Sequence, residues 1–196
     1  MANRSYLFSC NVVPRPDLPK ESVKVQGLAE WNYEIPLAFR LLASADPAPC
    51  GSLVWDTPDQ IAIAADYQQG VTRLKAFLSR IELPEAGTLI ADTVTFLDQA
   101  DNQNPYIVLE CGELYEMSDE PPLQQNAALL ARLQADLDEE VAVTLKSLEP
   151  VQPKPPGLIG KLMGKKEVPI QATPEQLEIL NSLGLSNWSN KLYYTP

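Results

Sequence analysis

The stretch ECGELYEMSDEPP, residues 110 to 122, brings Glu110, Glu113, Glu116, Asp119 and Glu120 close together with no basic residue among them. Carboxylates so spaced suit three kinds of chemistry: an acid and base paired across a substrate, ligands for a hard cation, or an anionic surface that meets a cationic one. The first two need a geometry that spacing along the chain does not establish, and acidic clusters are usually solvated. The composition of the rest of the chain narrows the choice.

The sequence contains no histidine. That excludes Ser-His-Asp and Cys-His nucleophilic systems, HExxH metalloproteases, histidine-containing zinc sites and histidine general bases. Cys10, Cys50 and Cys111 are odd in number and widely spaced, which argues against a disulfide framework or a CxxC metal knuckle and for buried thiols. GKLMGKK fails as a phosphate loop, because three residues separate Gly160 from Gly164, Lys166 stands where a hydroxyl residue is needed, and Pro155 and Pro156 occupy the place of the strand. DQADNQN lacks the alternation and trailing glutamate of a calcium loop and reads as a turn. No catalytic residue, cofactor or metal is expected.

The charge is uneven. The net value is −11, but residues 85–149 hold fourteen Asp and Glu against Arg132 and Lys146 alone, a local balance of −12. Such a field repels nucleic acid and anionic membrane and speeds encounter with a basic protein surface. Solubility is the plainer account of the same acidity. The opening MANRSYLFSC lacks the basic start and unbroken apolar run of a secretory signal, and no stretch approaches the length of a membrane span, so a cytoplasmic location is expected.

The elements that must position these carboxylates are read from apolar spacing. Residues 4–11 predict a strand, and 28–44 a helix complicated by Pro36. Residues 52–55 predict a short strand, followed by a helix capped at Thr57 and ended by Pro84, with Ile61, Ala64, Val71, Leu74 and Ile81 on one side. A helix over 86–99 and a strand through PYIVLECGELYEM follow, with Gly112 as a bulge or strand end. Residues 121–148 predict one long amphipathic helix with a ridge of Leu123, Ala127, Leu130, Leu133, Leu137, Val141, Leu145 and Leu148. Residues 149–169, rich in Pro, Gly and Lys, read as a mobile excursion. A last helix over 174–183 has Thr173 as cap, Gln176 completing the box and Gly184 as the stop, and NKLYYTP is strand-like. The irregular alternation predicts one α+β domain over 1–196, a small mixed β-sheet flanked by several helices.

At the N-terminus, MANRSYLFS resembles the opening of a group of bacterial proteins that begin with Met, a small residue, Asn-Arg-Ser-Tyr-Leu and an aromatic. A mid-chain strand of the YIVLECGELYEM kind occurs in the same group, whose members resemble immunity proteins carried beside polymorphic or Rhs-type toxins. The resemblance implies a non-enzymatic protein that binds and neutralises a cognate toxin domain, and it supplies no catalytic residues. Toxins acting on nucleic acids or nucleotides often have basic clefts, which an acidic inhibitor can occlude. Glu110, Glu113, Glu116, Asp119 and Glu120 are then the expected anionic contacts, with Tyr115 and Met117 as apolar anchors. The expected partner is the toxin domain, with neither nucleic acid nor membrane. The alternatives are a small hydrolase using carboxylates and Mg²⁺ to reverse a toxin's modification, and an adaptor whose long helix packs on a partner.

Overall fold

A computed structural model describes residues 3–19, 22–135, 137–150 and 171–194. Five strands form one sheet in the order β2-β1-β5-β4-β3: β1 Arg4–Cys10, β2 Val25–Asn32, β3 Ala48–Cys50, β4 Ala62–Asp66 and β5 Tyr106–Glu110. Its pairings are antiparallel throughout, more uniform than the mixed sheet expected. Helices α1 Leu37–Ala43, α2 Tyr67–Leu78, α3 Gly87–Leu97, α4 Gly112–Tyr115, α5 Pro122–Gln134, α6 Asp138–Ser147 and α7 Pro174–Ser182 complete the described chain. The α+β class read from the sequence is the class of the fold.

The sheet is buried on both faces. Leu7, Leu28, Ile63, Ile107 and Leu109 join the helices in the larger core, while Tyr6, Phe8, Cys10, Cys50, Ala62, Ala64 and Val108 form a second cluster packed with Val13, Val25, Leu53, Val54 and Leu192. A strand covered on both sides has no polar face, so its sequence loses the alternation that distinguishes strand from helix. This explains the largest departure from expectation. Within IAIAAD, Ala62–Asp66 is an interior strand and not the start of a helix, and the true cap of α2 is Asp66, whose carboxylate accepts from Gln69 N at 2.8 Å. Thr57 caps only a local turn, accepting from Asp59 N.

Three further expectations are corrected. Residues 28–44 divide into the end of β2 and helix α1, separated at Tyr33, whose φ of 65° reverses the chain, and at Pro36, which precedes α1. Residues 52–55 are a turn, because the Ser52 hydroxyl captures the amides of Val54 and Trp55; the strand lies just before, at Ala48–Cys50. The long helix expected over 121–148 is two. Asp138, Glu139 and Glu140 crowd the first turn of α6, where a helix N-terminus favours negative charge. Of the expected ridge, Leu133, Val141, Leu145 and Leu148 are buried, whereas Leu123 and Ala127 are exposed.

Helix α3 falls inside the expected 86–99, and α7 has its full capping box between Thr173 and Gln176. Gly184 follows α7 at φ 83°, a conformation that a side chain would strain. The tail runs along the open edge of β2 without forming a strand: Trp188 bridges Ala29, Ser189 N donates to Leu28 O, and Tyr193 N donates to the Glu30 carboxylate. Of the 149–169 stretch, all but Glu149 and Pro150 lies outside the described residues. No described helix is long and apolar enough to cross a membrane.

Candidate functional site

The antiparallel register gathers the acidic residues at one end of the sheet. Cys50, Ala62, Glu110, Tyr6 and Glu30 form a row across all five strands, since Cys50 pairs Ala62, Ala62 pairs Glu110, and Tyr6 pairs both Glu110 and Glu30. At this end β1 and β4 begin while β2, β3 and β5 finish. The adjoining chain carries Glu30, Glu34, Asp56, Asp59, Glu110, Glu113, Glu116, Asp119 and Glu120; within residues 3–6, 30–34, 50–60 and 110–123 the one basic residue is Arg4.

The carboxylates grouped by sequence do not share one surface. Glu110 is 1% exposed, on the sheet face of Tyr6 and Cys50. One of its oxygens accepts from Ser52 Oγ at 3.0 Å and the other from Leu53 N at 2.5 Å. Burial pushes its carboxyl up to about 7, against the opposing pull of those hydrogen bonds. Its placement among the expected surface contacts is therefore corrected: a strand buried on both faces turns its last side chain inward. Glu113 is half-buried and tied to β1, accepting from Arg4 N and from Tyr6 Oη, both at 2.8 Å. Tyr115 is 5% exposed and donates to Asn126, so it is core and not an anchor.

Beyond α4 the chain turns outward. Glu116, Asp119 and Glu120 are exposed, as is Met117 at 57%, and Leu123 opens α5 at 50%. Asn126 holds this segment beside the loop before β4, donating to Gln60 O at 2.9 Å and Ala62 O at 3.2 Å. That loop carries exposed Asp56 and Asp59. Glu34 is exposed, as are Tyr33 and, on the tail beside Arg4, Tyr193. The external acidic surface thus comprises Glu34, Asp56, Asp59, Glu116, Asp119 and Glu120, interleaved with exposed tyrosine, methionine and leucine. Sequence reading missed Asp56 and Asp59, which the pairing of β4 with β5 brings beside residues 110–120, and Asn126, whose spacing with Leu129 and Leu133 marks the inner face of α5.

The remaining chemistry is quiet. Cys10, Cys50 and Cys111 are free and buried, and burial raises all three thiols, Cys10 to about 12. Thiols held so high are poor nucleophiles. A cleft of about 330 Å³ lies between α3 and residues 185–188, and another of about 410 Å³ between Arg73 and the end of α5; neither is lined by the carboxylates of the acidic end. Among the described residues, no group of three or more Cys, Asp or Glu is placed to hold a metal ion.

Residues 11–151, from just after β1 to just past α6, match a domain of unknown function, DUF7822. The chain belongs to the DUF7822 family. The DUF7822 match takes in Glu34, Asp56, Asp59 and the whole of 110–122, while Arg4 and Tyr6 precede it. No curated protein and no solved structure matches the chain. The DUF7822 description names neither an activity nor a partner.

Proposed function

We propose that this protein is an immunity protein that binds a cognate toxin domain directly, laying its acidic end over a basic, active-site-bearing surface. The observation that carries this reading is the gathering of exposed Glu34, Asp56, Asp59, Glu116, Asp119 and Glu120 at one end of the sheet, with exposed Tyr33, Met117 and Leu123 among them. Acidic residues steer the encounter, and aromatic and methionine side chains supply contact area once the surfaces meet. The N-terminal resemblance to immunity proteins supports the same reading. Glu110, Glu113 and Tyr115, which face inward, act as the frame behind the contact surface.

The test is co-expression with a toxin encoded beside this chain. Rescue of growth and co-purification are expected, with affinity falling as salt rises. Changing Glu116, Asp119 and Glu120 together to Lys is expected to weaken binding at least about tenfold and to flatten that salt dependence. A wild-type protein that neither rescues nor co-purifies overturns the function. A triple variant that binds unchanged overturns only the surface.

A further inference from the structure

The cleft of about 330 Å³ between α3 and residues 185–188 combines aromatic and aliphatic carbon from Phe96, Trp188 and Leu185 with the carboxylate of Asp92, the hydroxyl of Thr95 and the amide of Gln99. Asp92, Thr95 and Phe96 stand at i, i+3 and i+4 along α3, so helical spacing sets them on one ridge, and Gln99 follows just past the helix end. The Trp188 wall is fixed in place. Its Nε1 donates to Thr93 Oγ1 at 2.8 Å, and the buried Thr93 hydroxyl donates in turn to Leu89 O at 2.7 Å. The indole packs against Phe39 in the interior and Phe96 at the cleft, with ring centroids 6.3 Å and 5.9 Å away. Since its one donor is spent inside the protein, Trp188 shows the cleft aromatic carbon alone.

We infer that this cleft is a binding site for a small alkylguanidinium, its cationic plane resting against the aromatic wall and hydrogen-bonded to Asp92, its stem lying along the aliphatic carbon. Charge selects the sign of the ligand. Among the described residues, Asp92, Thr95 and Gln99 form no side-chain hydrogen bond or ion pair, and none of the residues lining the cleft is basic. Lys75, which reaches the end of α3, is held by Asp98 at 2.6 Å. An unpaired carboxylate beside aromatic faces repels an anion and attracts a cation both by its charge and through the ring quadrupoles. Shape selects among cations. A guanidinium is planar, weakly hydrated and carries five donors in a fork, so it can lie on a ring while bonding a carboxylate and further acceptors such as Thr95 Oγ1 and Gln99 Oε1; an ammonium is compact and holds its water more strongly. The volume, at the lower end of the range for ligand clefts, suits a ligand no larger than one long side chain. The site stands apart from the external acidic surface and does not depend on the toxin-binding reading.

Titration of the ¹⁵N-labelled full chain with n-butylguanidinium, followed by NMR at near-physiological salt, tests it. Saturable shifts are expected at the Trp188 indole N–H and at the amides of Thr95, Phe96 and Gln99, with a Kd of about 1 mM for so small a ligand. n-Butylurea has nearly the same shape without the charge and is expected to bind at least about tenfold more weakly; n-butylammonium, which lacks the plane, is expected to bind several-fold more weakly. Asp92 is exposed, so Asp92→Asn should fold normally, and it is expected to lower guanidinium affinity to that of the urea while leaving urea binding unchanged. Shifts that do not saturate by about 10 mM, or that appear equally at Glu116, Asp119 and Glu120, mean general attraction to an acidic protein and overturn the site. Unchanged guanidinium binding in Asp92→Asn, or n-butylurea or n-butylammonium binding as tightly as n-butylguanidinium, overturns it as well.

Discussion

Tyr115 and Asn126 are joined by a buried hydrogen bond of 2.9 Å from the phenol to the side-chain carbonyl, and the same asparagine donates to the backbone carbonyls of Gln60 and Ala62. One side chain thereby ties α4, α5 and the entry to β4, the elements that carry most of the external acidic surface. Asn126→Ala leaves the Tyr115 hydroxyl and two backbone carbonyls without this partner, with an expected loss of about 3 kcal/mol in unfolding free energy. Tyr115→Phe removes a donor from a group that keeps its other bonds, at an expected cost of about 1 kcal/mol. Urea denaturation of both variants and of the double variant checks this; the double should cost less than the two singles added.

Gly112 opens α4 two residues after the end of β5, and any side chain on it collides with the Trp55 indole. Gly112→Ala is expected to destabilise by about 1 to 3 kcal/mol, the cost of overpacking a filled space, and to shift tryptophan emission as Trp55 is displaced. Adding Trp55→Phe should recover part of the loss, since the smaller ring leaves room for the methyl group. A Gly112→Ala protein with unchanged stability and emission means that Trp55 does not rest on the backbone of residue 112.

The pH dependence of stability carries the signature of Glu110. Its carboxyl is raised to about 7 in the folded protein from 4.5, so between those values the folded state holds a proton that the unfolded state has released. Stability therefore falls as pH rises through this window and is flat above it, by about 1.4 kcal/mol per unit and about 3 kcal/mol in all. Denaturant midpoints from pH 4.5 to 8 should show this slope in the wild type. In Glu110→Gln the slope should shrink by one proton's worth.

Why the sequence revealed some of this and not the rest follows from how each element is stabilised. Helix α7 was readable because Thr173 and Gln176 cap it by local contacts, and β1 because aromatic residues recur on one of its faces. IAIAAD reads as helix from its sequence because burial on both faces of β4 erases the period that separates strand from helix. The break between α5 and α6 was hidden by an apolar ridge that continues across it, although three acids at 138–140 signalled a new N-terminus. At the candidate site, chain proximity united Glu110 with Glu116, but strand pairing sets them on opposite sides of the surface and brings Asp56 and Asp59 to the outer group. Pairing is a long-range property that spacing along one segment does not encode.

Arg40 on α1 and Glu140 on α6 form a two-pronged ion pair, Nη1 to Oε2 at 2.5 Å and Nη2 to Oε1 at 2.6 Å, with the arginine side chain 14% exposed. The pair anchors the acidic start of α6 to the helical core. Glu140→Gln keeps the shape and removes the charge, so the expected loss is about 1 kcal/mol, falling at high salt because the glutamate is partly in water. Thermal melts at low and high ionic strength check both the size and the salt dependence.

Gln176 does two jobs, and its removal should cost more than removal of the residue that caps the helix. Its side-chain oxygen accepts from Thr173 N at 3.0 Å to complete the capping box, while its amide nitrogen donates to Ser147 O at 3.3 Å and Glu149 O at 2.8 Å, closing the carbonyl end of α6. The side chain is 4% exposed, so neither carbonyl readily gains water in its place. Thr173→Ala forfeits one bond, to Gln176 N, and the usual cost of a lost cap is about 1 kcal/mol. Gln176→Ala forfeits three bonds and leaves a small cavity, for an expected loss of about 2 kcal/mol. Urea melts that rank Thr173→Ala as the more damaging change would show that the link from α7 to α6 contributes little beyond the cap itself.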